Sequence, residues 1–227
     1  AMDPQQRVLL EMSLQCMEDA ATGADTLANH RTGVYVGIIN HDHERLILAD
    51  RNSINAFSGL GRSTSIAANR ISYCFNLVGP SITIDTACSS SLTAIDSACR
   101  ALASQAVDFA FAGGANAILS PESYIEFSQA AMLSKTGQCR AFDERADGFV
   151  RAEGGGLILL KRLSDALVDN DKIYATIIAT SVNQDGRTVG IMAPSLDSQQ
   201  AMMRDALNQC GIIALDVGYV EVHGTGT

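Results

Sequence analysis

The chain has 227 residues, 47% hydrophobic and 18% charged, with 19 glycines, no tryptophan and a formal net charge of −9. That length buries a sizeable core, and the composition is that of a soluble α/β domain rather than a disordered or fibrous chain. The acidic balance, with no basic run or stripe, argues against a nucleic-acid partner, and no apolar run is long enough to span a bilayer. Six cysteines (Cys16, Cys74, Cys88, Cys99, Cys139, Cys210) are scattered with no CxxC pair. This pattern predicts reduced thiols in a cytoplasmic protein, with no disulfide framework and no signal peptide.

Asp3-Pro4 opens a helix: an acidic cap, then proline at the first helical position. Leu10, Leu14 and Met17 give it an apolar face to about Ala21. Gly33 to Ile39 reads as a short apolar strand, and Asn40-His41-Asp42-His43 as a polar loop after it. Two histidines on one loop, with no further ligand nearby, favour a solvated loop over a metal site. Residues 54–75 are rich in small residues and show one helical face through Ile66, Arg70 and Tyr73. Gly59-Leu60-Gly61 lacks both the preceding strand and the third glycine of a dinucleotide fingerprint.

Ser81-Ile82-Thr83-Ile84 alternates in the manner of a strand, and from Leu92 the apolar residues Ile95, Ala98, Cys99 and Leu102 recur at helical steps. Cys88 therefore falls where a strand ends and a helix begins, with Ser89 to Ser91 offering capping hydroxyls. A helix N-terminus stabilises anions, which suits a nucleophilic thiolate, and the small residues nearby leave room for a substrate. The alternative for a lone cysteine is a buried, inert thiol.

Phe109 to Ala117 is a further buried strand, and Pro121 to Met132 reads as a helix with Tyr124, Ile125, Phe127 and Met132 on its apolar face. Asp143 to Gly148 looks superficially like a calcium loop, but Arg145 and Gly154 stand where acidic ligands belong, which leaves a charged turn. Gly154-Gly155-Gly156 leads into the buried strand Leu157 to Leu160, and Ser164 to Asn170 reads as a short helix. Ile173 to Val182 reads as a strand, and Ser195 to Cys210 as an amphipathic helix closed by Gly211. Tyr219 to Val222 reads as a last strand that delivers His223 into Gly224-Thr225-Gly226-Thr227. Strands alternating with helices predict an α/β fold with much parallel sheet, whose strand C-termini bind ligands. A thiol at a helix start and an imidazole at such an edge are the parts of acyl-thioester chemistry. Taken alone, His223 reads equally well as a structural histidine, and nothing in the sequence places it beside Cys88.

Asp85-Thr86-Ala87-Cys88-Ser89-Ser90-Ser91-Leu92 and Glu221-Val222-His223-Gly224-Thr225-Gly226-Thr227 resemble the two leading signatures of β-ketoacyl synthases. The chain is most similar to the ketosynthase domain of modular polyketide synthases, with iterative fatty-acid synthases as close relatives. Met2-Asp3-Pro4-Gln5-Gln6-Arg7, Arg140-Ala141-Phe142-Asp143, Asp147-Gly148-Phe149 and Asn183-Gln184-Asp185-Gly186 extend the likeness along the chain. The resemblance implies a thiolase-like fold, layered α/β/α/β/α and incomplete here. Residues 1–168 then form an N-terminal half lacking its first elements, and 169–227 the beginning of a C-terminal half.

By the same likeness, Cys88 takes an acyl chain from the phosphopantetheine arm of an acyl carrier protein, and its backbone N–H is half of an oxyanion hole. A malonyl-type carrier thioester then loses carbon dioxide, with His223 stabilising the enolate. Thr225 and Thr227 contact the pantetheine arm, and the segment of Phe127 and Met132 lines the acyl pocket. The partners implied are acyl carrier protein, acyl and malonyl-type thioesters, and a second copy in a homodimer. No metal and no directly bound cofactor, nucleic acid or membrane is implied. The family's second histidine, its lysine and a glycine-phenylalanine turn are expected beyond Thr227, so the chain reads as an internal fragment, inactive by itself. A non-elongating acyl-holding ketosynthase is one alternative. A cysteine–histidine acyl hydrolase is a weaker one, since no third orienting residue is recognisable.

Overall fold

The computed structural model describes residues 2–227. Helix α1 (Pro4–Asp19) starts as its sequence dictates, with the Asp3 carboxylate accepting from the Gln5 N–H at 2.8 Å. Its buried face differs from the apolar pattern. Leu9 and Met17 go inward together with Gln5, Gln6 and Ser13, whereas Leu14 is half exposed. The two glutamine amides are tolerated inside because they are bonded. Gln6 Nε2 donates to the Ser63 carbonyl at 3.2 Å, and its oxygen accepts from Arg70 Nε at 2.9 Å.

Helix α2 (Ala24–Ala28) leads to β1 (Thr32–Gly37), a strand buried at every position. Helix α3 (Asp42–Ala49) follows, beginning inside the stretch Asn40 to His43 that was expected to be a polar loop. Only Asp42 is buried on it, while Leu46 and Leu48 are exposed, so it carries no apolar stripe to betray it. The small-residue stretch folds as α4 (Ser58–Arg62) and α5 (Ser65–Cys74). Then come β2 (Ser81–Ile84), α6 (Ser90–Ala103), β3 (Phe109–Asn116), α7 (Glu122–Gln129), β4 (Gly154–Lys161), α8 (Leu163–Val168) and α9 (Leu196–Cys210). Gly211 ends α9 in the left-handed conformation, φ 68°. Helix α7 stops at Gln129, with Ala131 at φ 54°, so Met132 stands beyond the helix rather than on it.

Among the described residues four strands form one sheet in the order β2-β1-β3-β4. β1 is parallel to both β2 and β3, and β4 runs antiparallel to β3, so the sheet is mixed rather than parallel throughout. Strand periodicity sorts the core onto two faces. Val34, Val36, Phe109 and Phe111 join Leu9, Met17 and Ile71 beneath α1 and α5. Tyr35, Ala110 and Ala112 point the other way and meet Ala94, Ala98 and Leu102 of α6. Alanine on both sides lets α6 lie close to the sheet. The approach is tightest at Gly37, where a Cβ would fall 2.7 Å from the Ser90 carbonyl carbon and the Ser91 nitrogen.

Two expected strands do not form. Ile173 to Val182 and Tyr219 to Val222 join no ladder among the described residues. A strand exists by hydrogen bonding to a neighbour, and β-branched composition cannot supply that neighbour. Their apolar side chains are accordingly in solvent, Ile178 at 63% and Val220 at 62% exposure. Among the described residues no helix is long and apolar enough to cross a membrane.

Candidate active site

The chain leaves β2 at Ile84 and turns before α6 begins at Ser90, and Cys88 sits in that turn. The turn is built by its own short polar side chains. Asp85 Oδ1 accepts from the Ala87 N–H at 3.0 Å, and Ala87 takes φ 54°, a left-handed conformation held open by its neighbours. Ser90 Oγ accepts from the Thr86 N–H at 2.9 Å and donates to the Ala87 carbonyl at 2.6 Å. Ser89 Oγ donates to the Thr86 carbonyl at 2.8 Å. The serines expected to cap α6 therefore fold the preceding turn instead, and Ser89 makes no side-chain cap bond to the helix.

Cys88 is exposed, which removes the buried-thiol alternative. Cys16 and Cys99 show the contrast: burial pushes both thiols up, and Cys16 Sγ donates to the Leu157 carbonyl at 3.0 Å. Cys88 borders an open cleft of about 630 Å³ between the start of α6 and the adjoining ends of β3 and β4. Gly113, Gly114, Gly155 and Gly156 line it, so backbone rather than side chains forms much of the surface. Gly113 and Gly114 are required, whereas a Cβ at Gly156 would meet nothing within 4 Å. A Cβ at Gly113 would lie 2.1 Å from the Gly156 carbonyl oxygen, and one at Gly114 2.7 Å from that of Gly37.

Phe127 and Met132 lie elsewhere, against Phe149, and Gly226, between Thr225 and Thr227, is bonded to the neighbouring Gly148. The Phe149 N–H donates to the Met132 carbonyl at 2.9 Å, and its ring meets Phe127 edge-on at 5.4 Å. Arg151 lies 5.0 Å over the Tyr124 ring and 5.4 Å over that of Phe127. The Gly148 N–H donates to the Gly226 carbonyl at 3.0 Å, which ties the last residues to the same loop. Gly224 and Gly226 both have positive φ, 52° and 70°, and a Cβ at Gly226 would stand 3.1 Å from the Arg140 nitrogen. The Thr225 and Thr227 hydroxyls are 2.8 Å apart.

His223 is exposed on this terminal segment, and no strand delivers it, contrary to the expectation from Tyr219 to Val222. Neither it nor any of Phe127, Met132, Thr225 and Thr227 lines the cleft beside Cys88. The supporting loop has its own anchor, where the sequence predicts only a charged turn. Asp147 accepts from Ser134 Oγ at 2.6 Å and lies 3.5 Å from Arg140 Nη1. These partners hold its carboxyl below the usual range. Asp143 is held at about 2 by its bonds from Arg145.

Comparison with known proteins agrees along the whole chain. The family profile described as Beta-ketoacyl synthase, N-terminal domain, matches residues 1–166, and that of its C-terminal domain residues 174–227. The chain is 48% identical over 226 residues to a phenolphthiocerol/phthiocerol polyketide synthase of Mycobacterium tuberculosis, covering all of this chain and 12% of that protein. It is 46% identical over 226 residues to polyketide synthase ThaG of Burkholderia thailandensis, covering 4% of it. Among solved structures, the ketosynthase from module 6 of the bacillaene synthase of Bacillus subtilis 168 superposes with a TM-score of 0.92 at 46% identity. The oxazolomycin ketosynthase domain OzmH KS7 of Streptomyces albus superposes with a TM-score of 0.94 at 40% identity. The chain spans 38% and 39% of these two, so its sheet and helices are part of the thiolase-like ketosynthase fold. With most of the chain matched and the same backbone recovered at this identity, the protein belongs to the β-ketoacyl synthase family.

Proposed function

We propose that this chain carries the acyl-accepting part of a ketosynthase that elongates a polyketide by decarboxylative Claisen condensation. The observation that carries the reading is the exposed Cys88, held in a left-handed turn at a strand–helix junction and opening onto a glycine-lined cleft. The Cys88 thiolate attacks the thioester carbonyl of an acyl chain on the phosphopantetheine arm of a carrier protein. The carrier thiol leaves, and the acyl group stays on sulfur. A malonyl-type carrier thioester then loses carbon dioxide, and the electron pair of the broken C–C bond forms an enolate. The enolate carbon attacks the acyl-Cys88 carbonyl, and the Cys88 thiolate departs as the new C–C bond is completed.

Decarboxylation places charge on the enolate oxygen, and His223 is the group proposed to stabilise it. Cys88 and His223 act on the two thioesters that condensation joins, so the scheme needs no direct contact between them but does need both to reach the forming C–C bond. Thr225 and Thr227, whose hydroxyls stand side by side, are proposed to hold the pantetheine arm, and Phe127 and Met132 to border the acyl pocket. The remaining proposed features are a homodimer, a cytoplasmic location, acyl carrier protein as partner, and no cofactor of the enzyme's own.

The test uses the protein at its full natural length, incubated with an acyl-carrier thioester and followed by mass spectrometry. An acyl adduct on the Cys88 peptide that is released only when a malonyl-carrier thioester is added supports condensation. Release by water alone would establish the hydrolase instead, and an adduct that persists with the malonyl unit present would establish a holding domain.

A further inference from the structure

The connection from β3 to α7 is held in an unusual way. Each of four consecutive backbone N–H groups is bonded by a side chain from a distant part of the chain. Gln5 Oε1 accepts from Ala117 at 3.3 Å, and Glu153 Oε1 from Ile118 at 2.7 Å. A single carboxylate oxygen, Asp42 Oδ2, accepts from both Leu119 at 3.0 Å and Ser120 at 3.1 Å. The Asn40 amide also donates to that oxygen at 3.2 Å, and Gln5 Nε2 donates to the Asn40 carbonyl at 3.0 Å. Asp42 is buried, 1% exposed, at the first position of α3. A buried carboxylate that served only to cap its own helix would not need to reach a segment 77 residues away.

The segment so held leads directly into α7 through Pro121, and α7 carries Phe127, with Met132 just beyond its end. The Met132 N–H donates to the Phe127 carbonyl at 2.9 Å, which ties Met132 to the end of the helix. Charge-assisted bonds to one oxygen are stronger than neutral ones, and a buried N–H that loses its acceptor is costly to leave unpaired. Asp42 thereby sets the point from which α7 is aimed.

We propose that Asp42 is a positioning residue for the acyl pocket: through Leu119 and Ser120 it fixes the start of α7, and with it the stance of Phe127 and Met132 against the acyl chain. The inference rests on the reading that Phe127 and Met132 border that pocket. Arg45 Nη2, 3.8 Å from the other carboxylate oxygen, is the nearby cation that accompanies the buried charge.

The experiment compares loading of a short and a long acyl thioester onto Cys88 in the protein at its full natural length. It is read by mass spectrometry alongside hydrogen exchange at Leu119 and Ser120. Asp42→Asn is expected to speed exchange at both amides and to lower the long-to-short loading ratio by about tenfold or more, the scale of one methylene's worth of lost apolar contact. Faster exchange with an unchanged ratio, unchanged exchange, or an equal loss of both acyl groups would each overturn the proposal. Phe127→Ala and Met132→Ala test the underlying reading separately. Should they shift the ratio while Asp42→Asn does not, the pocket stands and the role of Asp42 falls. Should they leave the ratio unmoved, the pocket reading fails and the proposal with it. If Asp42→Asn does not fold, Asp42→Glu keeps the charge and displaces the accepting oxygen by one methylene, and is read by the same exchange and loading measurements. An unchanged ratio in that variant overturns the proposal equally.

Discussion

The Ser90 hydroxyl closes the turn around Cys88 by accepting from Thr86 and donating to Ala87 at once. The bridge spans the residue before the left-handed Ala87 and the carbonyl of Ala87 itself, so Ser90 ties both ends of the conformation that presents the thiol, alongside Asp85 and Ser89. Ser90→Ala leaves a part-buried N–H without its acceptor, at a cost of about 1–3 kcal/mol. Acyl loading of Cys88 is expected to slow by more than any fall in thermal stability accounts for. A variant that melts earlier yet loads at the original rate would show that the turn does not depend on the bridge.

Cys88 and His223 are expected to separate by step. Cys88→Ala abolishes acyl loading. His223→Ala spares loading and lowers condensation by about a hundredfold or more, the scale seen when a group stabilising a developing oxyanion is removed. Equal loss of loading in both variants contradicts the division of roles.

At Gly37 the sheet and the helix that follows the Cys88 turn are in backbone contact, and an added Cβ would sit 2.7 Å from Ser90 and Ser91. Gly37→Ala must push α6 away from β1, at a cost of about 1–3 kcal/mol for overpacking. Gly59→Ala, where a Cβ meets nothing within 4 Å, is the matched comparison. Chemical denaturation and the alkylation rate of Cys88 are both expected to change in the first variant and to stay near the parent in the second.

The Arg31–Asp108–Arg162 cluster predicts a stability change in acid. Asp108 receives hydrogen bonds from both guanidinium groups, with Arg31 the larger cause, and its carboxyl is lowered from 3.8 to about 2. A carboxyl depressed in the folded state stabilises it above the unfolded value, and that contribution disappears as pH falls through the folded value. Stability from this group is therefore full above about pH 4 and lost between there and about pH 2. Asp108→Asn is expected to lower stability at neutral pH and to flatten its decline across that window. A parallel decline in the two proteins would remove Asp108 as the source.

Much of the layout was legible from pattern. The Asp3-Pro4 start of α1, the alternation of Ser81 to Ile84, the helical spacing from Leu92 to Leu102 and the Gly211 stop are local signals, and local sterics and capping enforce them. The elements that departed from expectation lacked such signals. Helix α3 has no apolar face, because its one buried side chain is Asp42. Ile173 to Val182 and Tyr219 to Val222 have the composition of strands, and strand formation awaits a neighbour that composition does not provide.

The same division runs through the site. The sequence by itself determined that Cys88 stands between a strand and a helix and that His223 lies among small residues, and its motifs pointed to the family. Tertiary structure alone decided that Cys88 is exposed on a cleft of glycines and that Ser89 and Ser90 shape its turn rather than cap its helix. It also decided that Phe127, Met132 and Gly226 all meet the Gly148–Phe149 segment while His223 stays clear of the Cys88 cleft. The reason is physical. Periodicity and capping act over a turn or a few residues, whereas these outcomes depend on which backbone donors meet which acceptors across separations as long as that from Gly148 to Gly226.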